Sequence, residues 1–239
     1  MKLTKLIKHV FLSSFIFIAT SCADELIGNV GELDEDIFLN YQTITVLELP
    51  FEDDAEWHIN QGGRTGLQNN HFSNRNQRYA IDCVQKLNGI SFIGDGTSNE
   101  DYYCFGKRLN SPGYGKIIAL ENDIIDNTIP GSVNSDIDEN TKAGNYIIID
   151  HLNGEYSLMA HFKKGTIMVS VGDIVVKGQE VGKAGNSGNS GGPHLHYHLQ
   201  NKSGYLEGIG LPMQFLNYYA DDVFIERGEP VKSEVVRKE

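Results

Sequence analysis

Residues 185–198 read GNSGNSGGPHLHYH, and two kinds of chemistry are written into them. The segment GNSGGP has the form of a serine nucleophile loop, with Ser190 as the attacking hydroxyl. The segment HLHYH offers His194, His196 and His198 at alternate positions, which an extended strand turns toward one face. Serine chemistry also needs a histidine base and a carboxylate that fixes its tautomer. The nearest upstream histidine in a suitable setting, His161 in LMAHF, lies only 29 residues before Ser190. That is too little chain for a two-barrel protease, and Asn189 stands where such nucleophile loops carry aspartate. The glycine-rich stretch reads better as a tight, side-chain-poor loop whose backbone passes close to a substrate.

Metal chemistry asks for three protein ligands from His, Asp or Glu and a fourth position open to water. Side chains two apart on a strand are about 6.5–7 Å apart, whereas zinc–nitrogen bonds are about 2.0 Å. The histidine trio therefore supplies one ligand to an ion, and the others come from elsewhere. NNHFSNRNQRYAIDCV, residues 69–84, brings His71 and Asp82. Asp82 interrupts an apolar run, where an unpaired carboxylate is costly. A metal ion would compensate that burial, and so would an arginine such as Arg78.

The elements that must position these groups read as β. YIIIDHLNGEYSLMAHF, residues 146–162, has two β-rich runs around Asn153-Gly154, the pair preferred in a two-residue hairpin turn. That turn sets Leu152 opposite Glu155, Ile148 opposite Met159 and Tyr146 opposite His161, and puts His161 on the other face from His151. VSVGDIVVKGQEVGKAG, residues 169–185, gives short runs punctuated by glycine. PHLHYHL then extends as a strand, with Leu195, Tyr197 and Leu199 toward a core and the histidines toward an open surface. No segment carries a long helical period, so the domain is expected to be β-dominated.

The N-terminus reads as an export signal: Lys2, Lys5 and Lys8, then VFLSSFIFIA, then Ala19-Thr20-Ser21-Cys22. The last four residues resemble a bacterial lipobox, which implies lipidation of Cys22 and a membrane anchor. The expected organisation is a signal peptide over 1–21, an acidic tether over 22–42, a domain over 43–233 and a frayed polar tail over 234–239. Loss of the signal removes three lysines and no acid, so the net charge of −12 becomes −15. So acidic a surface repels phosphate backbones and argues against nucleic acid as a partner. Cys83 and Cys104 remain in an oxidising compartment, where a bridge between them and two free thiols are both open.

Taken together, the histidine and aspartate runs resemble the lysostaphin-type, or LytM-type, zinc endopeptidases of bacterial cell walls. GYGKIIAL, the hairpin ending in LMAHF, and the glycine-punctuated run into HLHYHL carry the likeness, over roughly residues 55–200. The resemblance implies a single, mainly antiparallel β-sheet domain of the duplicated hybrid-motif type, with a substrate groove floored by the sheet. It implies that His71, Asp82 and His196 bind one Zn²⁺ per chain and that His161 and His194 are catalytic without binding it. Arg78 stands where the family usually has its first histidine, and His71 lies farther upstream, so a looped insertion is expected. His198 stands where a glutamate is usual and is expected to support the site rather than ligate, and His151 to pack or hydrogen-bond. The implied activity is hydrolysis of peptidoglycan peptides by a monomer at the cell envelope. The rival reading is a non-catalytic domain that binds or activates a cell-wall hydrolase.

Overall fold

The computed structural model describes residues 40–52 and 55–239. The signal peptide, Cys22 and most of the tether lie outside these residues. Among the described residues thirteen strands follow one another. They are β1 (Trp57–Gln61), β2 (Ile81–Val84), β3 (Arg108–Asn110), β4 (Gly115–Glu121), β5 (Asn145–Asp150), β6 (Tyr156–Phe162), β7 (Ile174–Val175), β8 (Glu180–Lys183), β9 (Leu195–Gln200), β10 (Gly210–Leu211), β11 (Phe215–Ala220), β12 (Val223–Gly228) and β13 (Val235–Lys238). Two single 3₁₀ turns, Asn70–Ser73 and Asn99–Asp101, are the helical elements described. Eleven strands form one sheet in the order β12-β11-β13-β1-β2-β9-β6-β5-β4-β7, with β10 on β9, and β3 and β8 form a second. Every pairing between these strands is antiparallel, as the resemblance implies.

The centre of the large sheet positions the chemistry. β9 lies between β2 and β6, with Asp82 opposite His196 and His196 opposite Ala160. One row across three strands therefore carries a carboxylate and an imidazole side by side. Leu195, Tyr197 and Leu199 turn the other way and pack beside Cys83, Met159 and Ile81, all essentially buried. The histidine face is not open, as the sequence suggested. His196 and His198 are 4% and 1% exposed. The loop after β9 closes over that face, and Tyr205 and Leu206 pack against Leu158, Ala160 and Ile148.

The hairpin between β5 and β6 differs from expectation by one residue. Asp150 pairs with Tyr156, Ile148 with Leu158 and Ile147 with Met159. Asn153 does not close a two-residue turn; its Oδ1 accepts the Glu155 amide, and His151 N donates to Glu155 O, leaving a three-residue loop. With this register His161 would face the core beside Met159. A bulge reverses that: Tyr146 pairs with Ala160 and Asn145 with Phe162, leaving His161 as the extra residue at φ +63°. His161 thus joins the face of Ala160 and His196. The opposition to His151 holds, but through the bulge rather than the turn.

Both ends of the domain also differ from the sequence reading. The expected polar tail is β13, an interior strand between β11 and β1. Val236 is fully buried there and Lys238 Nζ reaches Glu48 at 2.8 Å. Two adjacent valines suffice for a strand that has neighbours on both sides. At the other end Tyr41, assigned to the tether, donates its hydroxyl to Glu155 Oε1 at 2.6 Å. The same buried carboxylate accepts from the amides of Ile44 and Thr45, at 2.7 Å each, and from the Thr45 hydroxyl.

Candidate metal centre

Three ligand-type side chains meet on the sheet face. His71, Asp82 and His196 each offer an atom, and these atoms all lie within 4.8 Å of one another. His71 Nε2 is 2.9 Å from Asp82 Oδ2, and His196 Nδ1 is 3.0 Å from Asp82 Oδ1. Donors on a tetrahedral zinc stand about 3.3 Å apart. Two imidazoles and a carboxylate suit that ion, with one side left toward solvent.

His71 sits eleven residues before Asp82 and still reaches it, because the intervening chain loops out and returns. Asn69 holds that loop. Its Oδ1 caps the Asn70–Ser73 turn by accepting from His71 N at 3.0 Å, and its Nδ2 donates to Ala80 O at 2.9 Å. Arg78 turns to the same loop: its Nε donates to Phe72 O at 3.1 Å and its guanidinium covers the Phe72 ring. The charge at Asp82 is therefore met by imidazoles and not by Arg78.

His161 and His194 complete the cluster, with ring centroids 4.7 Å apart. The glycine-rich loop orients both. His161 Nδ1 donates to Ser187 O at 2.7 Å and His194 Nδ1 to Gly192 O at 2.8 Å. A carbonyl only accepts, so both rings carry hydrogen on Nδ1 and keep the Nε2 lone pair free. His194 Nε2 lies 3.7 Å from Asp82 Oδ1, facing the cluster. Glycine lets the loop press this closely against β6. A Cβ on Gly185 would lie 2.2 Å from Lys163 N. Ser190 is 1% exposed and its hydroxyl donates to Gly192 O at 2.8 Å. It is a loop staple without access to substrate, and the serine reading ends there.

The electrostatics follow from burial. Burial alone would raise the Asp82 carboxyl, but the imidazoles of His194, His196 and His71 gathered around it outweigh burial and hold the group well below the usual carboxylate range. Burial, then the proximity of His194 and His196, pushes His161 well below the ordinary imidazole value. Burial, followed by His196, pushes His198 down to about 3. His198 joins no ligand triad; its Nδ1 lies 3.0 Å from His196 Nε2. His151 faces the core, 2.7 Å from Tyr114 O and 2.7 Å from Ser157 Oγ. Cys83 and Cys104 are free and buried, and the Cys104 thiol donates to Pro193 O at 3.1 Å.

A cleft crosses the cluster. One lobe, about 460 Å³, is lined by Leu158, Ala160, Asn189 and Leu206; the other, about 280 Å³, by Asn60, Tyr102 and Pro193. Asp82 and His194 border both lobes. Sequence reasoning did not find the carbonyls of Ser187 and Gly192, or Asn69. The density of glycine and the doubled GNS were the only written traces of the first two.

Residues 111–207 match the model of peptidase family M23, a span that contains His161, His194 and His196. Peptidoglycan DD-endopeptidase ShyA of Vibrio cholerae is 46% identical over 57 residues, 24% of this chain and 13% of that protein. An uncharacterized metalloprotease of Buchnera aphidicola is 45% identical over 58 residues, 24% of this chain and 15% of that one. The chain thus matches only a small part of the length of these curated relatives. Among solved structures, the catalytic domain of lysostaphin from Staphylococcus simulans overlaps 68% of this chain and 90% of its own, at 20% identity and a TM-score of 0.38. The catalytic domain of the M23 protein EnpA from Enterococcus faecalis overlaps 68% and 92%, at 20% identity and a TM-score of 0.41.

Proposed function

We propose, for a chain whose residues 111–207 match the model of peptidase family M23, that it is a zinc-dependent endopeptidase cutting peptide bonds of peptidoglycan. The observation that carries this is the convergence of three donor atoms within 4.8 Å beside two imidazoles fixed as Nδ1–H tautomers. A domain kept only for binding has no need of that set. His71, Asp82 and His196 would hold one Zn²⁺. Zinc, when bound, supplies a Lewis acid for the scissile carbonyl and lowers the pKa of water.

The protein's own groups do the rest. His161 and His194 present Nε2 lone pairs to the cleft, so one takes a proton from the attacking water. That proton is then delivered to the nitrogen of the departing amine. Either ring, once protonated, also stabilises negative charge that develops on the carbonyl oxygen. The two lobes on either side of Asp82 and His194 accommodate an extended peptide with residues on both sides of the cut bond. The acidic net charge fits a peptide substrate and not a nucleic acid. The lipobox-like Ala19-Thr20-Ser21-Cys22 supports anchoring through Cys22 at the cell envelope, where peptidoglycan is within reach.

Digestion of purified peptidoglycan followed by mass analysis of the fragments tests the activity. New amine and carboxyl ends at one peptide linkage, absent after chelation and restored by Zn²⁺, are expected. An intact sacculus together with stimulation of a separate hydrolase would assign the domain to the binding role instead.

A further inference from the structure

The sheet face carries a row of polar groups behind the triad that neither ligation nor proton transfer uses. His196 Nε2 lies 3.0 Å from His198 Nδ1, and His198 Nε2 lies 3.0 Å from Gln200 Oε1. The Gln200 amide then donates from Nε2 to Lys202 O at 2.6 Å and to Gly204 O at 2.7 Å. All three side chains are essentially buried. Such a row has a direction, because its far end is built from groups that only accept.

Both hydrogens of the Gln200 amide go to backbone carbonyls, so its Oε1 must be the atom facing His198. That oxygen accepts, and therefore His198 Nε2 carries hydrogen. Among the described residues His198 has no carboxylate as a hydrogen-bond partner, and it is 1% exposed, an environment that favours the neutral ring. Its Nδ1 is then a lone pair, and His196 Nε2 must donate to it. The remaining nitrogen of His196, Nδ1, is left as a lone pair 3.0 Å from Asp82 Oδ1. Two acceptors facing each other at that distance are relieved by a cation between them.

We infer that His198 and Gln200 are positioning residues that hold His196 in the Nε2–H tautomer, the reverse of the tautomer that the loop carbonyls impose on His161 and His194. One histidine cluster is thereby divided: one ring presents Nδ1 to the ion and two present Nε2 to the substrate. The division is made by partners outside the cluster, carbonyls of the glycine-rich loop on one side and the His198–Gln200 row on the other. This inference rests on the zinc reading for the purpose of the row, while the tautomer itself follows from the hydrogen bonds alone.

The test uses the full chain with ¹⁵N-labelled histidine, stripped of metal. Long-range ¹H–¹⁵N spectra are expected to show His196 protonated on Nε2, and His161 and His194 on Nδ1. Zinc affinity is then measured by competition with a chelator of known strength. His198→Phe keeps the ring volume and removes the acceptor; it should weaken Zn²⁺ binding about 10–100-fold. His198→Gln restores an acceptor and a donor and should recover most of the affinity. Gln200→Met, which leaves His198 in place, should give mixed tautomers at His196, and it serves where His198→Phe does not fold. A wild-type spectrum with His196 protonated on Nδ1 overturns the inference, as does unchanged zinc affinity in folded His198→Phe. A wild-type chain that binds no zinc but shows the expected tautomer leaves the row standing and removes the zinc reading instead.

Discussion

At the scale of single residues, the site sorts five histidines of the sheet face by what each ring nitrogen touches. His161 is the most constrained of them. It is the extra residue of a bulge, holds φ at +63°, and donates Nδ1–H to Ser187 O. Asparagine tolerates that backbone region better than most residues but cannot exchange a proton at Nε2. His161→Asn is therefore expected to fold, to bind one zinc, and to lose about 10²–10⁴ in kcat; steady-state kinetics and metal analysis of the same preparation check this. Loss of zinc in that variant would make His161 a ligand rather than a proton carrier. Asp82→Asn should behave oppositely. It removes the charge that His71, His194 and His196 surround, so bound zinc and activity should disappear together. Retention of zinc by Asp82→Asn would move the ligand set elsewhere.

At the scale of elements, the glycine-rich loop and the bulged strand act as one unit. The loop supplies the carbonyls at Ser187 and Gly192, and β6 supplies the ring at His161. Their contact depends on a missing side chain, since a Cβ at Gly185 would fall 2.2 Å from the Lys163 amide nitrogen. Gly185→Ala should therefore force the loop away and destabilise the fold by about 1–3 kcal/mol, as overpacking does. Urea unfolding measures that, and a midpoint equal to wild type would show that the loop has room to spare. This coupling was only half legible in the sequence. The strand alternation of PHLHYHL follows from residue types alone and is found as written. The hairpin register differs by one residue from that of a two-residue turn, because Asn153 Oδ1 accepts from Glu155 N instead of the pair closing the tighter turn. The bulge at His161 had no local signal, since it is imposed by Ala143 O and Gly185 N, which bond to the His161 backbone from other segments.

At the scale of the whole molecule, stability should depend on pH through the buried imidazoles. His151, His161, His196 and His198 all sit below the ordinary value of 6.5, burial being the leading cause for each. Above 6.5 neither folded nor unfolded chain protonates them. Below it the unfolded chain takes up protons that the folded chain resists, so stability falls as pH falls from 6.5 toward the lowered values. Each such ring costs up to about 1.4 kcal/mol per pH unit in that window. Metal-free protein should thus show a lower urea midpoint at pH 5.5 than at pH 7.5, and equal midpoints would refute this account. Deletion of residues 234–239 should be more severe. It removes β13 from between β11 and β1 and leaves two unpaired edges, so circular dichroism should show loss of the cooperative transition. What the sequence alone determined is the set of reactive groups and the strands that bear them: a histidine trio alternating on β9, a carboxylate in an apolar run, and a β-dominated chain. Those follow from side-chain chemistry and from a period of two, both of which are local. What only the tertiary structure decided is which nitrogen of each ring is free, which face His161 joins, and that the last residues complete the sheet. Those outcomes depend on partners tens of residues away in the chain, which no local pattern specifies.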